Sequence, residues 1–175
     1  KINLDVKVEE APTGSLSFGV GYSNTQSLVG TASISDRNLF GMAYHGYVKA
    51  ALGLKTQNIR TGFTDPYFLG YPLAAGFDIY NEKDEYFKEY YKYQITGGDI
   101  RFGKELTDTI RVDLMYKLEN VKVYDVSDTA SIYVQVQKGK TTTSAISIAP
   151  SMDTRDDYHN PRRGAKSVLF IQNAG

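Results

Sequence analysis

Few groups in this sequence could carry chemistry. There are two histidines, His45 and His159, far apart in the chain and on different predicted elements, so they make no metal pair. The chain has no cysteine, which removes disulfides, thiolate metal sites and a thiol nucleophile. Asp153, Asp156 and Asp157 form the densest carboxylate group, but their spacing is not that of a calcium loop. With Arg155 among them they predict a solvated turn closed by a salt bridge. The glycines of Gly19-Val20-Gly21-Tyr22 are followed by no helix, so they are not a dinucleotide fingerprint. No serine, histidine and aspartate stand in a supporting motif. The expectation is a protein that is not an enzyme, with no catalytic residues, no metal and no cofactor.

The remaining charges alternate with apolar residues, so strands must position them. Ile110, Val112, Leu114, Tyr116 and Leu118 interleave with Arg111, Asp113, Met115, Lys117 and Glu119. A period of two puts one set on each face of a sheet. Charges such as Asp78, Arg111, Asp113, Lys117 and Glu119 would then pair or be hydrated on one face, as in a wet lumen. His45, flanked by tyrosines, is expected on that lumen face.

The opening stretch shows the same alternation with different chemistry. Leu16, Phe18 and Val20 interleave with Ser15, Ser17, Gly19 and Gly21. After a turn signal, Leu28, Gly30, Ala32 and Ile34 interleave with Val29, Thr31, Ser33 and Ser35. The second face here is small and hydroxylated, where an ordinary soluble sheet carries Lys and Glu.

Further strands are predicted at 44–52, 57–64, 73–80, about 90–102, 110–119, 142–149 and 165–172. Gly97-Gly98 marks a bulge or bend, 81–89 is a charged connection, and 132–136 is extended within a long connection at 124–140. No apolar residues recur at helical spacing over several turns, so the fold class is all-β. Residues 1–10 alternate as a separate short strand with an ordinary charged face. Ala11-Pro12-Thr13-Gly14 breaks it and marks a domain boundary, 1–13 against 14–175.

The totals agree. A length of 175 residues suits one domain, and 20 basic against 20 acidic residues leave no field for nucleic acid. Mean hydropathy is -0.37, and no apolar run reaches the roughly 18 residues of a spanning helix. Transmembrane barrels escape that test, because only alternate strand residues meet lipid. Strands of 8–13 residues match the roughly 9–11 that cross a bilayer at a tilt. The 14 tyrosines fit aromatic girdles.

Connections sort by parity into near-side turns at 36–41, 65–71, 104–108 and 153–164, and far-side ones at 23–26, 53–56, 81–89 and 124–140. The near-side turns are distinctive: Asn38, Leu39 and Gly41 in the first, then Asp65, Pro66, Tyr67 and Phe68. The last combines Asp153, Arg155 and Asp156 with Pro161 and Gly164. Each alone is an ordinary turn.

Taken in order, Pro12-Thr-Gly-Ser-Leu-Ser-Phe-Gly-Val-Gly-Tyr22, Asn38-Leu-Phe-Gly41, Asp65-Pro-Tyr-Phe68 and Asp153-Thr-Arg-Asp156 with Pro161-Arg-Arg-Gly164 resemble the BamA family. These are outer-membrane β-barrel assembly factors of Gram-negative bacteria. The resemblance implies an antiparallel up-and-down transmembrane barrel, of which 14–175 would be about strands 1–9 of 16. Residues 1–13 would be the last strand and linker of a periplasmic POTRA domain. It implies a lateral gate at the first strand, Ser15, Leu16, Ser17, Phe18, Gly19, Val20, Gly21 and Tyr22, templating nascent barrel proteins edge to edge. Implied partners are those substrates, accessory assembly lipoproteins and the lipid bilayer. The chain lacks the family's remaining strands and its Val-Arg-Gly-Phe loop.

Glycine in a strand interior is unfavourable by roughly 0.5–1 kcal/mol relative to alanine, which suits a seam that opens; the alternative is that these glycines only permit curvature. Two rival functions stay open: a polypeptide-translocating pore of the same superfamily, and a small passive barrel closing on itself over 15–172.

Overall fold

A computed structural model describes residues 11–23, 27–85, 91–128, 130–157 and 159–175. The predicted strand at 1–10 lies outside the described residues, as do 24–26 and 86–90.

The chain is an antiparallel meander. Its strands are β1 (Gly14–Ser23), β2 (Ser27–Leu39), β3 (Tyr44–Gly53), β4 (Thr56–Asp65), β5 (Ala74–Glu85), β6 (Lys92–Glu105), β7 (Ile110–Tyr124), β8 (Gly139–Asp153), β9 (Lys166–Val168) and β10 (Ile171–Ala174). They form one sheet in the order β1-β2-β3-β4-β5-β6-β7-β8-β10, with β9 also on β8. Among the described residues the sheet is open: β1 pairs only with β2, and β10 only with β8.

Register carries the alternation from strand to strand. Tyr47 faces Gly62, Gly62 faces Asp78, Asp78 faces Asp99, and Asp99 faces Lys117. Polar residues therefore collect on one face, and Phe77, Ile79, Ile100 and Leu118 on the other. Burial is inverted relative to a soluble sheet. On β5, Asp78 is 3% and Tyr80 4% exposed, while Phe77 is 42% and Ile79 56% exposed. Exposed apolar side chains over a whole face and buried charges on the other define an inner polar wall and an outer apolar one.

Four expectations need correction. Gly97-Gly98 makes no bulge, because both ladders run through it in unbroken register. The glycines instead let backbones approach: a Cβ would lie 2.7 Å from Leu118 O at Gly97 and 2.9 Å from Asp78 O at Gly98. The register shift falls between Asp36 and Leu39.

The charged stretch after Tyr80 is not a connection up to its end, since β5 runs to Glu85. Its carboxylates are met on neighbouring strands, Glu82 by Arg60 at 2.9 Å and Glu85 by Lys92 at 3.3 Å. Residues 132–136 are a short helix, α1 (Ile132–Val136), rather than extended. Gln135 Nε2 donates to the carbonyls of Asp128 and Ala130 and ties that turn back on its own loop. The strand expected at 165–172 is broken into β9 and β10 around Leu169 and Phe170.

Candidate functional site

The candidate site is the β1 edge, set against a braced inner wall. Every described β1 side chain is exposed. Leu16, Phe18, Val20 and Tyr22 stand on the apolar face. Ser15, Ser17, Gly19 and Gly21 stand on the polar face, opposite Ser35, Ser33, Thr31 and Val29. Side-chain fastening is sparse. Ser15 Oγ lies 2.8 Å from Ser35 Oγ, Thr31 Oγ1 donates to Gly19 O at 3.3 Å, and Thr13 Oγ1 donates to Asp36 Oδ1 at 2.6 Å. A Cβ at Gly21 would meet nothing within 4 Å. The second edge of β1, with its row of backbone N–H and C=O groups, is unpaired among the described residues. Such a row is a template for another strand.

The wall from β4 to β7 is built differently. Asp78 accepts two bonds from Arg101, at 2.9 and 3.0 Å, and stands 3.8 Å from Arg60. Arg60 also bonds Glu82 and lies over the Tyr80 ring, 4.3 Å from its centroid. The Tyr80 hydroxyl donates to Glu119 at 2.5 Å, and Lys117 pairs with Glu119 at 2.9 Å. Arg101 Nε is 3.6 Å from the Asp99 carboxylate. Charge-assisted bonds of this kind, several to a group, fix side chains in one arrangement. Four strands are thus cross-braced from within by charged pairs, while among the described residues the inner face of the β1–β2 ladder is fastened by hydroxyls beside glycines.

The sequence expectations are met in part. Arg111 pairs with Asp113 at 2.8 Å and Lys117 with Glu119, as charges on an inner face should. His45 shares that face, with its ring 6.1 Å from Tyr47. Arg60, Glu82, Asp99 and Arg101 went unremarked in the sequence, although extending the alternation of β4, β5 and β6 would have placed them beside Asp78.

The near-side turns are ordered by their own side chains. Asn38 Oδ1 accepts from the Ala43 N–H at 2.7 Å, and Asp65 Oδ1 from the Tyr67 N–H at 2.8 Å, with Pro66 between. Leu39 and Gly41, and then Phe68, complete the first two turns. In the last, Asp153 grips Arg155 at 2.6 Å, which is the salt bridge expected there. Asp156 Oδ1 accepts from the Arg162 and Arg163 N–H groups at 2.9 and 3.1 Å, just after Pro161. Asp157 Oδ1 accepts from those of His159 and Asn160 at 2.7 and 2.8 Å. These bonds stabilise the ionised carboxylates and hold Asp156 and Asp157 below the usual carboxylate range. Gly164, at φ 90°, closes the loop against the Thr154 carbonyl, where a Cβ would collide.

Residues 38–175 match the family model of the Omp85 superfamily domain. The whole chain is 32% identical to the outer membrane protein assembly factor BamA of Nitratidesulfovibrio vulgaris, covering 22% of that protein. Over 92% of the chain it is 32% identical to BamA of Neorickettsia risticii, again covering 22% of the relative. The chain therefore spans about a fifth of the curated relatives it matches. Its fold matches the crystal structure of BamA from Haemophilus ducreyi lacking POTRA domains 1–3, with a TM-score of 0.67 and 20% identity. That match covers 94% of this chain and 34% of the other. The chain belongs to the Omp85 superfamily.

Proposed function

We propose that this chain is the N-terminal part of the barrel of an outer-membrane protein assembly factor, and that β1 is the edge at which incoming barrel strands are templated. Residues 14–175 are read as barrel and 1–13 as the end of a preceding periplasmic POTRA domain. The apolar face meets lipid and the polar face a wet lumen. Nascent barrel proteins are the substrates, accessory lipoproteins are the further partners, and the work is strand exchange rather than bond chemistry. The names of the relatives support assembly.

One observation carries the templating reading, namely the contrast between β1 and the wall behind it. A strand held by backbone bonds and few side-chain contacts separates at lower free energy than its braced neighbours. Its free N–H and C=O groups can then accept a new partner by β-augmentation.

The open order of the sheet weighs against a small passive barrel, since β1 and β10 form no ladder. The translocating-pore alternative shares the same wall and differs in the use of the edge. A photo-crosslinking side chain placed in turn at Ser17, Gly19 and Gly21 of the full-length protein separates the two in cells. A templating edge crosslinks to a nascent barrel protein at successive positions along β1, in one register. Crosslinks confined to inner-wall positions such as Lys49 and Asn58 would favour the pore.

A further inference from the structure

Two of the near-side connections are one turn written twice. Residues 36–42 read Asp-Arg-Asn-Leu-Phe-Gly-Met, and residues 65–71 read Asp-Pro-Tyr-Phe-Leu-Gly-Tyr. In each, the aspartate Oδ1 accepts the N–H two residues on, Asn38 or Tyr67, at 2.8 Å. In each, the glycine N–H donates three residues back, Gly41 to Asn38 O at 3.0 Å and Gly70 to Tyr67 O at 2.8 Å. The following N–H does the same, Met42 to Leu39 O and Tyr71 to Phe68 O, both at 3.2 Å. Both turns take two consecutive left-handed residues, with φ 59° and 73° at Phe40 and Gly41, and 57° and 79° at Leu69 and Gly70.

Glycine suits such a backbone, and a bulky apolar residue does not. Yet Phe40 and Leu69 occupy it while 84% and 78% exposed, so packing among the described residues does not explain their identity. The residue before each is laid on the outer wall. Leu39 Cδ1 fills the space beside Gly46, 2.5 Å from where a Cβ would stand, and the Phe68 ring lies 6.5 Å from that of Phe102. By register Gly46 and Phe102 both belong to the apolar face. The two tips therefore continue the apolar face past the ends of the strands.

We propose that these repeated turns are a pair of membrane-interface anchors, with Phe40 and Leu69 inserted at the headgroup–acyl boundary of the near leaflet. The proposal rests on reading the apolar face as lipid-facing. Lipid is the occupant because each tip is joined, through Leu39 or Phe68, to that face, and the Asp36 and Asp65 carboxylates beside it are taken up by backbone N–H groups of the turns. Apolar and aromatic side chains at the end of a spanning segment favour that boundary. The effect would be to fix the height of β2–β5 in the bilayer.

The test uses the full-length protein in phosphatidylcholine vesicles, with any other cysteines replaced by serine. Single cysteines at Phe40 and Leu69 carry an environment-sensitive fluorophore, quenched either by lipid brominated near the glycerol end or by aqueous iodide. Leu114→Cys on the outer wall and Ser33→Cys on the inner wall are the references. The expected result is bromolipid quenching at both tips within about twofold of Leu114, and iodide quenching several-fold below Ser33. Iodide quenching equal to Ser33 overturns the proposal, and so does shielding from both quenchers, which would mean a protein cover. If Leu114 also quenches as though in water, the membrane reading itself fails. Phe40→Asn with Leu69→Asn keeps side chains that accept the left-handed backbone. A probe at Met42 in that variant should lose most of its bromolipid quenching; retention would overturn the proposal.

Discussion

Gly62 sits directly opposite Asp78 in the β4–β5 ladder, and the space where its Cβ would be is taken by the Asp78 carboxylate and the Tyr47 ring. The absence of one carbon lets the most buried carboxylate of the inner wall reach Arg101 and Arg60. Gly62→Ala should therefore push Asp78 off both guanidinium groups and destabilise the barrel by about 1–3 kcal/mol, the range for overpacking a filled site. The urea midpoint of the full-length protein in lipid checks this. Gly21→Ala, which has open space, should leave the midpoint within about 0.5 kcal/mol of the parent apart from its strand-propensity gain.

Removing the charge at the centre of the same wall has a separate signature. Asp78→Asn keeps the shape but leaves Arg101 and Arg60 facing a neutral amide. Truncating one partner of a buried pair is strongly unfavourable. Both arginines here are more than a third exposed, so the effect is reduced to about 1–2 kcal/mol, with solvent taking up part of the charge. The midpoint falls, and adding Arg101→Gln to Asp78→Asn should cost less than the two changes summed. A double-mutant cycle reads that difference.

How much of this was legible in the sequence depends on whether a feature was local or crossed strands. Alternation placed β1, β2, β7 and β8, because most apolar residues there are flanked by small or charged ones. The inner-wall role of Asp78, Lys117 and Glu119 followed from the same period. Their partners did not, since Asp78 meets Arg101 and Arg60 only through the register of three strands, and register is a non-local quantity. Residues 132–136 misled because Ile-Tyr-Val-Gln-Val has strand propensity, while the deciding bonds come from Gln135 to carbonyls upstream. Gly97-Gly98 misled because a close backbone approach and a bulge both call for glycine. The repeat of Asp36–Gly41 in Asp65–Gly70 was fully present in the sequence. It is obscured because only the aspartate and the glycine are identical between the two turns.

Acid should loosen the last near-side turn, because two carboxylates order it. Asp156 and Asp157 are held below the usual carboxylate range by the backbone N–H groups they accept. A carboxylate with a depressed folded pKa contributes stability that is present above its unfolded value, near 4, and lost as pH falls through the folded value. Hydrogen exchange at the amides of Arg162 and Arg163, after correction for intrinsic rates, should show protection at neutral pH that is lost as pH falls below the ordinary carboxylate range. Asp156→Asn should remove the pH dependence at those two amides and leave that of Asn160.

The central claim is that the second edge of β1 must be open for the protein to work. The direct measurement uses the full-length protein with one cysteine at Val20 and another at the facing position of the strand that closes the barrel against β1, expressed in cells as the sole copy. Assembly of other outer-membrane barrels is scored with the disulfide formed and again after reduction. The account predicts that the closed seam halts assembly and that reduction restores it. Assembly proceeding at the parental rate with the seam locked would contradict it and leave β1 a structural edge.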